Sequence, residues 1–114
     1  MNASMLLWNR LKKNRLIALL APERIEDCIT AYEALNPLGV TLEIALRTPM
    51  AVKGIKAIKE RHPDALLLAG TVMTHHQADL VIDSGVAGVV SPDYIPIVTE
   101  VCVRRDVMNI PGGT

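Results

Sequence analysis

Short apolar runs alternate with longer amphipathic segments along the whole chain. The runs cover residues 16–20, 41–46, 65–69, 88–90 and 107–110. Apolar runs without strict apolar–polar alternation are typical of strands that are buried on both faces, as in parallel sheets. The pattern therefore predicts five strands, which end near residues 20, 46, 70, 91 and 110.

Between these runs, apolar residues recur at the spacing of an amphipathic helix. The four sets are Ile25, Cys28, Ile29, Tyr32 and Leu35; Val52, Ile55 and Ile58; Ala78, Val81 and Ile82; and Val98, Val101 and Cys102. They predict one helix in each of the four gaps between the strands. The first fourteen residues predict an extra leading helix, with Met5, Trp8 and Leu11 on one side.

Residues with special backbone preferences fall at the predicted boundaries. Proline is favoured in the first turn of a helix, and Pro22, Pro49 and Pro96 lie near predicted helix starts. Thr74 with Gln77 has the spacing of a capping box. Glycine commonly follows the last turn of a helix, as Gly39 and Gly85 do here.

The alternation of strands and helices predicts an α/β fold with a parallel sheet. Two architectures compete: a doubly wound open sheet and a (β/α)-barrel of TIM type. No GxGxxG or GxxxxGK[ST] motif follows the first strand, which favours the barrel. A complete barrel takes roughly 200–250 residues. The 114 residues are thus expected to form one domain with about the first five strands and four helices, in which 1–14 is the leading helix and 15–114 the βα units.

Composition narrows the possible partners and compartments. The 12 basic and 12 acidic side chains balance without a basic cluster, which argues against nucleic acid or an anionic membrane surface as a partner. No apolar run approaches the roughly 20 residues of a membrane span. Cys28 and Cys102 lack metal-site spacing and indicate two buried, reduced thiols in a cytoplasmic protein. His75 and His76 are adjacent and have no accompanying ligand pattern, so no metal site is predicted.

The second strand carries charges on one face. Because strand side chains alternate, Glu43 and Arg47 share a face, opposite to Leu42, Ile44 and Leu46. In a parallel barrel this face points to the interior, and active sites lie at the carboxyl ends of the strands. Two charges there are unfavourable unless they are paired or used. A purely structural ion pair between Glu43 and Arg47 is the alternative interpretation.

Polar or conformationally special residues also follow the next strands. Gly70 leaves space in which a ligand could approach the backbone closely, and Thr71 adds a hydroxyl beside it. Ser91 and Pro92 follow the fourth strand at the equivalent place. Because such residues recur at successive strand ends, the sequence predicts an active site along the carboxyl edge of the sheet.

These motifs together resemble the KDPG and 2-keto-4-hydroxyglutarate (KHG) aldolase family. The resemblance rests on the E-x-x-x-R-T element at 43–48, Ala-Gly-Thr-Val at 69–72, Ser-Pro at 91–92 and Ile-Pro-Gly at 110–112, and it spans about 16–112. It implies a class I aldolase, a lyase that needs no cofactor. Such an enzyme cleaves a 2-keto-3-deoxy-6-phospho sugar acid or 4-hydroxy-2-oxoglutarate to pyruvate and an aldehyde through a lysine Schiff base. The resemblance also implies a homotrimer.

The same resemblance assigns roles to four residues. Glu43 is the general acid/base that moves protons through bound water, and Arg47 binds the carboxylate of the pyruvate half. Thr71 orients the bound keto acid, and Pro92 lines the same pocket.

The sequence departs from the family pattern in three places. Ala18-Leu19-Leu20 replaces a Pro-Val-Ile element, and Asp93 replaces a glycine. The family's Schiff-base lysine belongs to a sixth strand, beyond Thr114. The phosphate site, which loops after the last strands form in such barrels, is also expected beyond Thr114. The lysines present all fall on predicted helices: Lys12, Lys13, Lys53, Lys56 and Lys59.

Two other functions remain open from the sequence. One is a different phosphosugar-metabolising enzyme on the same barrel. The other is a non-catalytic half-barrel that pairs with another copy as a scaffold or assembly element.

Overall fold

A computed structural model describes residues 2–112 of the chain. Its helices are α1 (Ala3–Asn14), α2 (Ile25–Leu35), α3 (Met50–Arg61), α4 (His75–Asp83) and α5 (Pro96–Arg104), with a short 3-10 turn at Asn36–Leu38. Its strands are β1 (Ile17–Leu20), β2 (Thr41–Ala45), β3 (Leu68–Gly70), β4 (Gly88–Ser91) and β5 (Met108–Pro111). All five predicted strand ends are confirmed to within one residue.

The five strands form one sheet in the order β1-β2-β3-β4-β5, and every neighbouring pair is parallel. A doubly wound sheet reverses its strand order at a switch point, and this sheet does not. The arrangement is that of an arc of a (β/α)-barrel, as predicted. All strands consequently present their carboxyl ends at the same edge.

Local signals in the sequence are confirmed at several element boundaries. The Thr74 hydroxyl accepts a hydrogen bond from the Gln77 backbone N–H (3.1 Å), and the Gln77 side chain accepts one from the Thr74 N–H (3.2 Å). This reciprocal pair is the expected capping box at the start of α4. Gly85 has φ +106° directly after α4, a conformation that favours glycine.

The face of the sheet that packs against α2–α5 is here called the helix face. It carries the larger core, to which Ile44, Ala69 and Val89 contribute fully buried side chains from three strands. The helices also pack closely on one another. A Cβ atom at Gly54 in α3 would lie 2.3 Å from Sγ of Cys28 in α2, so only glycine permits this approach.

The opposite side of the sheet, here called the inner face, holds a smaller cluster at the amino ends of the strands. Leu7 of α1 is fully buried there against Leu68 and Ala87. Space for it exists because residue 88 is glycine, whose Cβ would lie 2.7 Å from Cδ2 of Leu7. Of the three apolar residues expected on one side of α1, Leu11 packs against this cluster, whereas Met5 and Trp8 are 52% and 54% exposed.

No helix within residues 2–112 is both long enough and apolar enough to cross a lipid bilayer.

Candidate functional site

Glu43 occupies the middle of β2 and points to the inner face. Its neighbours Leu42 and Ile44 are buried in the core on the helix face, so the alternation of the strand turns Glu43 the other way. The carboxylate leans toward β3, where a Cβ atom on Gly70 would lie 2.0 Å from Oε2. The Glu43 carboxylate therefore rests against the backbone of β3 near the carboxyl edge of the sheet.

Burial changes the acidity of this carboxyl group. The pKa of Glu43 is raised, chiefly because burial disfavours the charged form, while the positive charge of Arg47 opposes the rise. Within residues 2–112, no hydrogen bond or ion pair joins the two side chains. The alternative of a structural Glu43–Arg47 ion pair is therefore wrong. Instead, a half-buried carboxyl group that holds a proton more readily than usual lies in the field of a cation.

Arg47 lies in the turn after β2, and its side chain is exposed. The backbone around it is held on both sides. Leu46 N–H donates to the Gly70 carbonyl at 2.9 Å, and the Thr48 hydroxyl donates to the Pro22 carbonyl at 2.5 Å. The guanidinium is thus solvent-facing on a fixed stretch of chain, which suits it to bind an anion.

Thr71 follows β3 directly and has a left-handed backbone, with φ +60°. A β-branched residue rarely adopts this conformation, because its Cβ crowds the following carbonyl. The chain rejoins the sheet at once, since the buried Val72 donates its N–H to the Val90 carbonyl at 3.1 Å. Strained residues of this kind occur often at active sites.

Pro92 is exposed at the carboxyl end of β4, beside the end of β5. A Cβ atom on Gly112 would lie 2.3 Å from the Pro92 carbonyl oxygen, and Gly112 N–H donates to the Ser91 carbonyl at 2.8 Å. Ser91 is itself buried, and its Oγ has no hydrogen-bond partner in the part of the chain that the structure describes. The structure brings Glu43, Gly70 and Thr71 together, whereas Pro92 stands farther along the same edge.

The inner face corrects one expectation from the sequence and adds one residue to it. Gly70 is expected to leave space for a ligand, but the side chain of Glu43 fills that space. Arg10 of α1 was not singled out, yet its Nε donates to the buried Thr41 hydroxyl at 3.0 Å and its Nη2 to the Val40 carbonyl at 3.1 Å. The available signal was Thr41, a polar residue at an inner-face position that needs a partner when buried.

All five lysines lie on α1 or α3, and none lies on a strand. Lys53 and Lys56 are exposed. Lys59 differs, because it is partly buried and its Nζ donates to the carbonyls of Pro63 (2.5 Å) and Ala65 (3.1 Å). Lys12 and Lys13, near the end of α1, are exposed.

A cleft of about 410 Å³ opens at the amino end of the sheet, where Arg10, Arg61 and His62 contribute to its lining. Arg10 already donates hydrogen bonds to Thr41 and to the Val40 carbonyl. Glu33 binds the Arg61 guanidinium at 3.2 Å and the His62 ring at 2.8 Å. Arg10, Arg61 and His62 thus serve contacts within the fold.

The described residues contain no group of three or more His, Cys, Asp and Glu side chains that could hold a metal ion. His75 and His76 stack on each other with their ring centroids 4.1 Å apart, and both are exposed at the start of α4.

Residues 7–114 match a protein-family model that is described as KDPG and KHG aldolase. Among curated proteins, the chain is 36% identical over 107 residues to the 2-dehydro-3-deoxy-phosphogluconate aldolase of Treponema pallidum, covering 93% of this chain and 51% of that protein. It is 30% identical over 97 residues to the KHG/KDPG aldolase of Escherichia coli, covering 84% and 46%. The chain thus spans about half the length of the curated relatives it matches.

Solved structures give the same result for the fold. A KDPG aldolase from Legionella pneumophila, with pyruvate captured at low pH as a covalent carbinolamine intermediate, has a TM-score of 0.82 and 27% identity. The match covers 97% of this chain and 52% of that one. The 2-keto-3-deoxy-6-phosphogluconate aldolase of Zymomonas mobilis with 3-phosphoglycerate has a TM-score of 0.81 and 29% identity, covering 92% and 50%.

Proposed function

The chain belongs to the KDPG and KHG aldolase family, and from that premise we propose that it is part of a class I aldolase. The substrate is a 2-keto-3-deoxy-6-phospho sugar acid or 4-hydroxy-2-oxoglutarate, and the products are pyruvate and an aldehyde. A lysine that follows Thr114, on a sixth strand, forms the Schiff base. The residues described here supply proton transfer and binding of the keto acid.

The observation that carries this proposal is the environment of Glu43. Its carboxyl group is half-buried on the inner face, its pKa is raised mainly by burial, and it lies against Gly70 beside Thr71. A general acid/base works best when its pKa approaches the working pH, and desolvation moves a carboxyl group in that direction. A carboxylate with only a structural role would have a partner instead.

The other residues complete a keto-acid site at the carboxyl edge. Arg47 supplies a planar guanidinium that can bind the carboxylate of the pyruvate half through two hydrogen bonds. Thr71 offers its hydroxyl next to Glu43 to orient the keto acid, and Pro92 lines the site from the end of β4. Glu43 takes a proton from the pyruvyl carbon, or returns one, through a bound water.

Support for the covalent step comes from the Legionella relative, in whose structure pyruvate is captured as a carbinolamine. We place the whole protein in the cytoplasm as a homotrimer that needs neither a metal ion nor an organic cofactor. These features come from the family resemblance and from the lack of metal-site spacing in the sequence.

Reductive trapping tests the proposal directly. The 114-residue chain and a form extended through a sixth strand are each incubated with pyruvate and borohydride, and adducts are located by peptide mass mapping. We expect one stoichiometric adduct, on a sixth-strand lysine of the extended form, and no site-specific adduct on the shorter chain. Trapping on Lys12, Lys13, Lys53, Lys56 or Lys59 would mean that the nucleophile has been misplaced.

Binding of the keto acid is tested in the extended form with Arg47→Lys. A point charge cannot reproduce the two-point contact, and each charge-assisted hydrogen bond contributes about 1.5–3 kcal/mol. We expect KM for the keto acid to rise by about tenfold or more, which corresponds to a loss of about 1.4 kcal/mol. Arg104→Lys, on α5, is the matched control. An unchanged KM in Arg47→Lys would remove Arg47 from the site.

A further inference from the structure

The position of the Glu43 carboxyl group on the inner face is defined by its contact with Gly70. Its Cα pairs in register with that of Leu68, while the Cα of Gly70 pairs with that of Ala45. The Glu43 carboxylate therefore reaches diagonally along the sheet, past its own register partner, to the backbone of Gly70. A Cβ atom on residue 70 would lie 2.0 Å from Oε2 and 2.8 Å from Cδ of Glu43.

We propose that Gly70 is a positioning residue, whose missing side chain makes the space that holds the Glu43 carboxyl group against β3 and directly beside Thr71. Even alanine at this position would displace the carboxyl group, since contacts below 3.0 Å are sterically forbidden for a Cβ atom. The backbone of Gly70 is poorly able to yield. It is buried, and its carbonyl accepts a hydrogen bond from Leu46 N–H at 2.9 Å.

The position of the carboxyl group also determines its hydration. Against β3, the carboxyl group lies on an inner face that carries the small Ala45 and the fully buried Leu68. Displaced from β3, it moves outward into water, where the charged form is better solvated. Glycine at position 70 thus determines both where the proton is delivered and how readily the carboxyl group holds it. The catalytic part of this inference rests on the proposed function, whereas the positioning part does not.

The first test follows the titration of Glu43 by carbon-13 NMR of the glutamate side-chain carboxyl carbons in the 114-residue chain. Glu43→Gln identifies the signal by its disappearance. We expect Gly70→Ala to move the titration midpoint of Glu43 downward, toward the ordinary glutamate value of 4.5. Gly54→Ala is the control, because it adds a methyl group in an equally tight place, 2.3 Å from Cys28 Sγ, on the other side of the sheet. An unchanged midpoint in Gly70→Ala, or the same change in both variants, would overturn the inference.

The second test is a double-mutant cycle, which remains informative if Gly70→Ala alone is too unstable to titrate. Urea unfolding is measured for the parent chain, Gly70→Ala, Glu43→Ala and the double variant. Because the clash is with the Glu43 side chain, we expect Gly70→Ala to lower the urea midpoint far less in the Glu43→Ala background. An equal loss in both backgrounds, or a double variant that fails to fold, would show that glycine is needed for another reason.

A third measurement links position to catalysis in the form extended through a sixth strand. We expect Gly70→Ala to lower kcat and to shift the acid limb of the pH–rate profile downward, with KM for the keto acid within about twofold of the parent value. General acid/base groups contribute about 10²–10⁴-fold to rates, so displacement of one should reduce kcat by about tenfold or more. A pH–rate profile that keeps its shape would separate Gly70 from the proton transfer, even if Schiff-base trapping succeeds.

Discussion

The two ends of the inner face use polar groups in opposite ways. At the amino end, Arg10 donates hydrogen bonds to the Thr41 hydroxyl and to the carbonyls of Asn36 and Val40, and Leu7 seals the sheet beside it. At the carboxyl end, the carboxyl group of Glu43 has a raised pKa, and Thr71 is held in a left-handed conformation. Polar groups at the first end are satisfied, whereas those at the second are held in unfavourable states.

The contrast indicates a division of labour within one short sheet. Satisfied polar groups and buried apolar surface add stability, while desolvated charge and backbone strain subtract from it and are retained where chemistry requires them. Substitutions at the amino end should therefore destabilise the protein. Substitutions at the carboxyl end that relieve backbone strain or remove the desolvated charge should stabilise it and reduce its activity.

The largest effect is expected for Leu7→Ala. The substitution empties a fully buried site between α1 and the sheet, and a Leu→Ala change in a core costs about 2–5 kcal/mol. Urea unfolding of the 114-residue chain measures the loss. Trp8→Ala, at a 54% exposed position on the same helix, is the control and should cost clearly less. A larger loss in the Trp8 variant would contradict the packing of α1 described here.

A smaller loss of stability toward urea is expected for Arg10→Met. This change keeps an unbranched apolar side chain but removes the hydrogen-bond donors to Thr41 and Val40. Leaving buried acceptors unpaired costs about 1–3 kcal/mol. Thr41→Val removes one of those acceptors, so the loss should be smaller when Arg10→Met is made in that background. A strictly additive pair would show that the Arg10–Thr41 bond contributes nothing to stability.

At the carboxyl end, the substitution Thr71→Gly is expected to increase the stability of the protein. Glycine relieves a left-handed conformation that costs an L-residue about 1–2 kcal/mol, although it adds freedom to the unfolded chain, so a net gain on the order of 1 kcal/mol is expected. Thr74→Gly is the control. Thr74 has φ −127° and caps α4, so this change should lower stability by about a few tenths of a kcal/mol. A loss of stability in Thr71→Gly would refute strain at this position.

The smallest effect is expected for Glu43→Gln, since partial exposure lets water screen the charge. The pKa of Glu43 is raised in the folded state, so folding favours the protonated carboxyl group. That contribution is fully present below the pKa of the unfolded chain and is lost as the pH rises through the folded-state pKa. Glu43→Gln should therefore raise the urea midpoint at pH 7 and lose this advantage in acid. Glu60→Gln, at an exposed position on α3, is the control. A gain that grew on acidification would have the wrong sign.

Much of the fold followed from the sequence because its signals are local. Apolar runs located all five strands, and the Thr74–Gln77 box and Gly85 marked the two ends of α4. The packing side of α1 did not follow, because apolar residues occur on more than one side of that helix. The choice of Leu7 depends on space at Gly88, which is 81 positions away in the chain and becomes visible only when the sheet is assembled.

The candidate site was predictable to a similar degree. The alternation of side chains along β2 placed Glu43 on the inner face. Thr71 follows the neighbouring strand at the carboxyl edge of the sheet, so the proximity of the two residues was predictable. The roles of Glu43, Arg47, Thr71 and Pro92 stay predictions. The left-handed backbone of Thr71 could not be foreseen, because no residue type marks it, and threonine disfavours it. The contact between Glu43 and Gly70 depends on the register between β2 and β3, which the sequence alone does not specify.

The docking of α1 has a consequence for the time course of folding. Leu7 meets Leu68 and Ala87, and Asn2 hydrogen-bonds to Asp106, so every one of these contacts closes a long loop. The βα units, by contrast, bring together segments that follow each other in sequence, and local contacts form first. The leading helix should thus join the sheet after the rate-limiting step. Weakening this docking by Leu7→Ala would then speed unfolding and leave refolding nearly unchanged. Although α1 comes first in the sequence, its contacts would act mainly by slowing the unfolding of a sheet that has already formed.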